Sequence, residues 1–227
     1  MKALPEHWNA KWIAPAEQHR RHPVFSRSFS LSKPVRAATL HITGYGLFEA
    51  YLNGKKLGED VLTPFFDAYT ETTQVLAFDL THLLEADNRM EILLGNGWYK
   101  GRFGFAPTEN RWGERFAALA QLEIIYADGS QETVCTDESW ACRLSEILDS
   151  GIYDGEHQDY TAPAETAGAQ ILPLGTDHLI GRDSPGLTLK ERLVVREILH
   201  TPAGETVLDF GQNFAGWVEF TAALPHG

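Results

Sequence analysis

The chain has 227 residues, of which 43% are hydrophobic and 22% charged, a composition typical of a folded globular protein rather than of a disordered or membrane-spanning one. Its formal net charge is −12 and its Lys and Arg residues form no stripe, so neither nucleic acid nor an anionic membrane is an expected partner. The two cysteines, Cys135 and Cys142, are too few for a disulfide framework, and the first residues contain no apolar signal segment, so we expect a cytoplasmic protein.

Short strand patterns separated by turn residues dominate the first part of the chain. Residues 1–33 are predicted to supply N-terminal strands that join a β-sandwich formed by residues 34–160. Within that sandwich, Asn53-Gly54 separates the strand patterns 49–52 and 55–58. This arrangement predicts a two-residue type I′ hairpin, because both central residues of that turn need positive φ.

A second set of strands follows at 74–80, 89–95 and 119–126. Residues 81–84 are predicted as one helical turn between the first two of these, and Asp128-Gly129 predicts a hairpin to a strand at 131–135. Seven or more short strands with Gly, Asn and Asp turns, and no long helical period, indicate an all-β jelly roll or β-sandwich of the galactose-binding-like type, with little helix.

The composition changes after residue 160. Residues 161–188 are rich in Pro, Ala, Gly and Thr and are predicted as a connector. Strand patterns return at 189–200, 206–210 and 216–220, so we expect residues 189–227 either to pack with the N-terminal strands or to begin the next β domain. The turn-forming residues 224–227 favour a longer protein over a natural C-terminus.

An ordered set of segments between residues 12 and 220 resembles the N-terminal region of family 78 glycoside hydrolases, the bacterial α-L-rhamnosidases. A Tyr-Leu-Asn-Gly hairpin also occurs in β-galactosidase-like enzymes, whereas the Asn-Gly-Trp-Tyr and Asp-Phe-Gly-Gln-Asn segments favour the rhamnosidases. The segments are Trp12-Ile13 with 23–29, then 42–54, 94–102, 136–140, 152–156 and 209–218. The pattern departs from the family after Glu156, where His157 to Ala162 replace the usual residues.

The resemblance implies that catalysis belongs to a C-terminal (α/α)6 domain, and this sequence contains no helical repeat of that kind, so we expect no catalytic residue in it. The resemblance also implies that the jelly roll binds L-rhamnose beside a calcium ion in some members and is a spacer in others. The expected partners are therefore L-rhamnose or a rhamnosyl glycoside and the catalytic domain. The alternative is a stand-alone carbohydrate-binding module with calcium-dependent rhamnose binding.

Six residues in two neighbouring segments are candidates for sugar binding. Aromatic rings stack on the apolar face of a pyranose, and amide or guanidinium groups bind its hydroxyls. A long loop on a β scaffold, here 102–115, is often functional. The alternative is that the aromatic residues only pack against the sandwich and each other. The candidates are Asn96, Trp98, Tyr99, Arg102, Asn110 and Trp112.

A weaker candidate is a metal site at Asp154 and Glu156. Calcium prefers several carboxylate, carbonyl and amide oxygens, which this acidic segment offers in part. The spacing is not that of an EF-hand, and a solvated acidic loop is the alternative. Calcium is the one cofactor that we consider.

Overall fold

The computed structural model describes residues 3–104 and 108–221. Residues 105–107 of the predicted loop and the turn predicted at 224–227 therefore lie outside the described residues. The chain divides into two compact units, Met1–Thr188 and Leu189–Gly227. No helix in the described ranges has the length and apolar character needed to cross a membrane.

The first unit contains two large sheets and a separate two-stranded hairpin, which confirms the predicted all-β class. One sheet contains seven strands, and β15 and β6 form its parallel pair among antiparallel neighbours. In spatial order they are β14 (Ala169–Leu172), β1 (Trp12–Pro15), β8 (Ala117–Tyr126), β3 (Val35–Tyr45), β6 (Thr73–Asp79) and β15 (Leu179–Gly181), with β9 (Gln131–Cys135) paired to β8.

The second sheet contains six strands and is antiparallel throughout. In spatial order they are β13 (Glu165–Thr166), β10 (Ala141–Leu144), β2 (Pro23–Ser30), β7 (Asp87–Gly95), β4 (Leu47–Leu52) and β5 (Lys55–Lys56).

The main core lies between the two sheets. Leu40, Ile42 and Leu122 of the seven-stranded sheet belong to the same buried cluster as Phe25 and Ile92 of the six-stranded sheet. Successive strand residues point to opposite faces, so every second side chain of these strands enters the core. Burying one such side chain contributes about 1.5–3 kcal/mol, which makes this shared cluster the main source of stability.

The outer face of the seven-stranded sheet is covered by the chain that precedes β1. Gln121 alternates with the core residues of β8, and its Oε1 accepts from the backbone N–H of Asn9 (2.7 Å) and Ala10 (3.2 Å). His41 on β3 contacts the carbonyl oxygen of Ala3 at 3.0 Å. These buried polar groups explain how the N-terminal segment is held on the sandwich.

The local turn predictions are confirmed. Asn53 and Gly54 have φ of 52° and 76° between β4 and β5, as a type I′ hairpin requires. Gly129 has φ of 85° in the turn between β8 and β9. The residues after β6 form a turn in which Leu80 O accepts from the N–H of Leu83 and Leu84.

The segment 161–188, which we expected to be a connector, is part of the sandwich. It contains β13, β14 and β15, which extend both sheets. Trp12 Nε1 donates to the carbonyl oxygen of Gly175 at 3.1 Å, and Leu172 and Leu179 pack in its cluster. These strands are too short and too rich in Pro and Gly to show a clear period in the sequence.

The second unit contains one described hairpin, formed by β16 (Glu197–His200) and β17 (Thr206–Asp209). Residues 216–220, predicted as a strand, do not form one. Of the strand predicted at 189–200, only residues 197–200 form a strand. A strand needs a partner for its backbone groups, and no described residue supplies one for these segments. Apolar side chains such as Val194, Trp217 and Phe220 are exposed in this unit.

Candidate functional site

A polar pocket of about 460 Å³ lies where four segments of the first unit meet. They are residues 18–20 between β1 and β2, the turn that follows β7, the loop before β8, and the hairpin of β11 (Ile147–Gly151) and β12 (Gly155–Gln158). The turn after β7 is one helical turn, α1 (Gly97–Lys100). Five predicted site residues line this pocket: Asn96, Arg102, Asn110, Asp154 and Glu156.

Asn96 is the buried amide of the pocket. It directly follows β7 and is 6% exposed. Its Nδ2 donates to Asp149 Oδ1 at 3.0 Å and to the carbonyl oxygen of Ser150 at 2.9 Å. Its Oδ1 has no hydrogen-bond partner among the described residues. A buried acceptor without a donor costs about 1–3 kcal/mol, which a ligand donor would recover.

Two ion pairs attach the β11–β12 hairpin to the rest of the pocket. Arg20 Nη2 lies 2.9 Å from Asp149 Oδ2. Arg102 holds Asp154 with two nitrogens, Nε at 3.0 Å from Oδ2 and Nη2 at 2.9 Å from Oδ1, and its guanidinium lies 4.8 Å from the ring centre of Tyr153. The hydrogen bonds from Arg102 lower the pKa of Asp154, so this carboxylate stays ionised.

Lys100 is a pocket residue that the sequence analysis missed. Its Nζ lies 4.8 Å from the ring centre of Phe116, and burial lowers its pKa, with Asp149 acting in the opposite direction. Arg20 was missed as well. Lys100 lies within the predicted segment 96–102 but was not selected there, whereas Arg20 carries no local signal because the fold brings it to the pocket from a distant part of the chain.

The predicted loop after α1 folds back onto that turn. The backbone N–H of Asn110 donates to the carbonyl oxygen of Lys100 at 2.9 Å, and the N–H of Trp112 to that of Tyr99 at 3.4 Å. Asn110 has φ of 54°, a conformation that Asn tolerates better than most residues. These bonds place Asn110 on the pocket wall.

The predicted aromatic residues Trp98, Tyr99 and Trp112 do not line the pocket. Tyr99 stacks on Tyr45 with ring centres 4.8 Å apart, and burial raises its pKa to about 12. Trp112 packs edge-on against Phe103 at 5.0 Å. These rings therefore pack against other side chains, as the alternative to sugar binding predicts. They belong to an aromatic cluster of Tyr45, Phe65, Phe66, Tyr69, Trp98, Tyr99, Phe103 and Trp112.

The structure does not support the metal site proposed at Asp154 and Glu156. Both oxygens of Asp154 are held by Arg102. Within the described parts of the chain, no group of three or more His, Cys, Asp or Glu side chains could hold a metal ion. These residues therefore do not fit calcium, which needs several free oxygen ligands.

The lining chemistry suits a small polar ligand. Among its described residues the pocket has five carboxylates, three basic side chains and two amide residues in addition to the buried Asn96. Among the described lining residues there is no Phe, Tyr or Trp ring, so recognition here depends mainly on hydrogen bonds rather than on stacking.

Comparison with known proteins shows the family of the chain. A model of the α-L-rhamnosidase N-terminal domain matches residues 33–168. The chain belongs to this family. An α-L-rhamnosidase of Streptomyces avermitilis is 33% identical over 223 residues, covering 91% of this chain and 21% of that protein. One of Alteromonas sp. (strain LOR) is 30% identical over 235 residues, covering 92% of this chain and 25% of that protein.

Solved structures show the same relationship for this rhamnosidase N-terminal region. The native α-L-rhamnosidase of Aspergillus terreus superimposes with a TM-score of 0.81 and 29% identity, covering 90% of this chain and 26% of that chain. The Streptomyces avermitilis enzyme complexed with L-rhamnose gives a TM-score of 0.75 and 28% identity, with coverages of 86% and 20%. The chain thus spans about a fifth to a quarter of the length of these relatives.

Proposed function

We propose that this chain is the non-catalytic N-terminal β region of an α-L-rhamnosidase-like glycoside hydrolase, that it supports the (α/α)6 catalytic domain, and that it binds rhamnosyl sugars in the polar pocket. The observation that carries the sugar-binding part is the buried amide of Asn96, whose Oδ1 lacks a donor in a pocket otherwise lined by polar groups. A sugar hydroxyl supplies that donor without adding charge.

The carboxylates of the pocket support a non-catalytic role. A glycosidase needs two carboxyl groups at the scissile bond, one of them a general acid whose pKa is raised. Arg102 lowers the pKa of Asp154 instead, by hydrogen bonding to this carboxylate. The chain also covers only a small part of each relative, which is consistent with catalysis in another part of the protein.

Thermal unfolding with and without L-rhamnose tests the proposal. Binding to the folded state alone stabilises it by about 2.7 kcal/mol at a hundred times Kd, which raises the Tm of a domain of this size by about 5–10 °C. Asn96→Ala is expected to remove the rhamnose-dependent rise, whereas Asn213→Ala, at an exposed position in the second unit, keeps it. For each variant, the Tm with L-rhamnose is compared with the Tm without it, so a lower Tm of unliganded Asn96→Ala does not change the conclusion.

Two results would contradict the proposal. The absence of any rise at high millimolar L-rhamnose would leave only the supporting role. Release of the aryl group from an aryl α-L-rhamnoside by the purified chain would show that it is catalytic after all.

A further inference from the structure

We infer that the polar pocket selects a neutral sugar by a vicinal pair of hydroxyl groups, one donating to Asn96 Oδ1 and the other accepting from Lys100 Nζ, and that its carboxylates exclude anionic sugars. This inference rests on the proposed function, because it specifies the ligand of the same pocket.

The orientation of the Asn96 amide is determined by its neighbours. Its Nδ2 lies between two acceptors, Asp149 Oδ1 and the carbonyl oxygen of Ser150. Exchanging the nitrogen and oxygen would bring Oδ1 against a carboxylate and a carbonyl, which is unfavourable. Asn96 lines the pocket and its Oδ1 is shielded from solvent, so the surrounding side chains must move before a ligand donor contacts this atom.

Lys100 supplies the complementary donor. Residues 96 and 100 are four apart across α1, and the backbone N–H of Lys100 donates to the carbonyl oxygen of Asn96 at 3.1 Å, so the two side chains leave the same side of the turn. Lys100 forms no ion pair within 4.0 Å with a described residue, whereas the pocket residues Arg20 and Arg102 each bind a carboxylate. Its ammonium therefore remains available as a donor to a ligand.

An acceptor and a donor that belong to one turn and line the same pocket match two adjacent sugar hydroxyls, since each hydroxyl both donates and accepts. The positive charge of Lys100 next to Asn96 also opposes an ammonium ligand at this position.

The remaining charges disfavour anions. Asp149 and Asp154 are offset by their arginines, which leaves the ammonium of Lys100 facing three further carboxylates, Glu109, Glu114 and Glu156. The lining is thus negative overall. A like charge a few ångströms away costs about 1 kcal/mol in water and more near a protein surface, so we expect a uronate to bind about tenfold or more weaker than an uncharged sugar.

Isothermal titration of the full chain with L-rhamnose and with D-galacturonate tests this selectivity. L-Rhamnose is expected to bind about tenfold or more tightly than galacturonate. The triple variant Glu109→Gln, Glu114→Gln, Glu156→Gln should reduce that ratio toward one. The matched control Glu59→Gln, Glu71→Gln, Glu138→Gln removes the same charge at exposed positions outside the pocket lining and should keep the ratio.

The hydroxyl pair is tested with two variants of Lys100 and two modified sugars. Lys100→Met should weaken rhamnose binding, and Lys100→Arg, which retains a donor, should restore part of it. For the pair of adjacent rhamnose hydroxyls that the pocket binds, methylating either hydroxyl should abolish binding. The methyl group removes the proton that is donated to Asn96, or blocks the approach of Lys100 to the oxygen.

The outcomes separate this inference from the proposed function. If no sugar binds, both fail. If L-rhamnose binds but galacturonate binds equally well, or if Lys100→Met and the methylated sugars bind like the originals, the inference fails while sugar binding stands.

Discussion

His22, the residue before β2, lies beside the pocket with almost no contact with solvent. It is 1% exposed, and its Nε2 is 3.3 Å from Oγ of the pocket residue Ser150. Its ring packs against Phe116 with centres 5.6 Å apart. Burial lowers its pKa from 6.5 to about 4; Asp149 partly opposes this shift and Lys100 adds to it. The folded protein therefore keeps this imidazole neutral.

The stability of the first unit should fall as the pH is lowered from about 6.5 to about 4. In that range the unfolded chain binds a proton at His22 and the folded chain does not, so protonation favours unfolding, by about 3 kcal/mol at pH 4. Urea unfolding of the wild type and of His22→Gln over this range measures it, and the variant should lose this part of the pH dependence. The control His82→Gln, at an exposed position, should keep this pH dependence. If the free energy of unfolding of His22→Gln changes with pH as steeply as that of the wild type, His22 is not its cause.

At the scale of single residues, the sequence identifies candidate site residues better than it predicts which side chains they contact. Asn96 and Arg102 were found because they flank a turn after an apolar strand. Trp98 was found for the same reason and Trp112 because it lies in the long loop 102–115, yet their rings pack into the aromatic cluster rather than the pocket. Residue type shows that a ring can stack on a sugar, but only the fold determines whether another ring already occupies its face.

At the scale of elements, turns were predicted and long-range pairings were not. The β4–β5 hairpin depends on two adjacent residues with positive φ, which the sequence displays directly. The β11–β12 hairpin, which forms a wall of the pocket, pairs with neither main sheet. Its position depends on side chains of Arg20, Asn96 and Arg102 from distant segments, for which the local sequence contains no signal.

Weakening one of these attachments should loosen the β11–β12 hairpin without unfolding the sandwich. Asp154→Asn removes the charge that Arg102 binds at the hairpin turn. We expect several-fold faster amide hydrogen exchange in residues 149–158 and little change in Tm, because elements with few buried apolar contacts open locally. Asp128→Asn, which breaks the Lys33 ion pair on another hairpin, is the matched control. Unchanged exchange in Asp154→Asn would show that the Arg102 contact does not hold the hairpin.

At the scale of the whole molecule, the described core belongs entirely to the first unit. Both buried clusters consist of residues before position 188, including Trp12 and Leu179 on the outer side of the seven-stranded sheet. The family model ends at residue 168, yet β14 and β15 follow it and complete that sheet. The second unit contains a two-stranded hairpin, which is marginally stable by itself in water.

Two truncations should therefore behave differently. Residues 1–188 are expected to fold with nearly the Tm of the full chain and to bind less of an apolar dye, because the exposed side chains of the second unit are gone. Residues 1–168 also lose β14 and β15, which uncovers Trp12 and removes the burial of Leu179. Losing about 2–3 kcal/mol of apolar burial should lower the Tm by about 5–10 °C. Circular dichroism melts of the two chains measure the difference, and equal melting temperatures would show that the sandwich does not need the strands beyond residue 168.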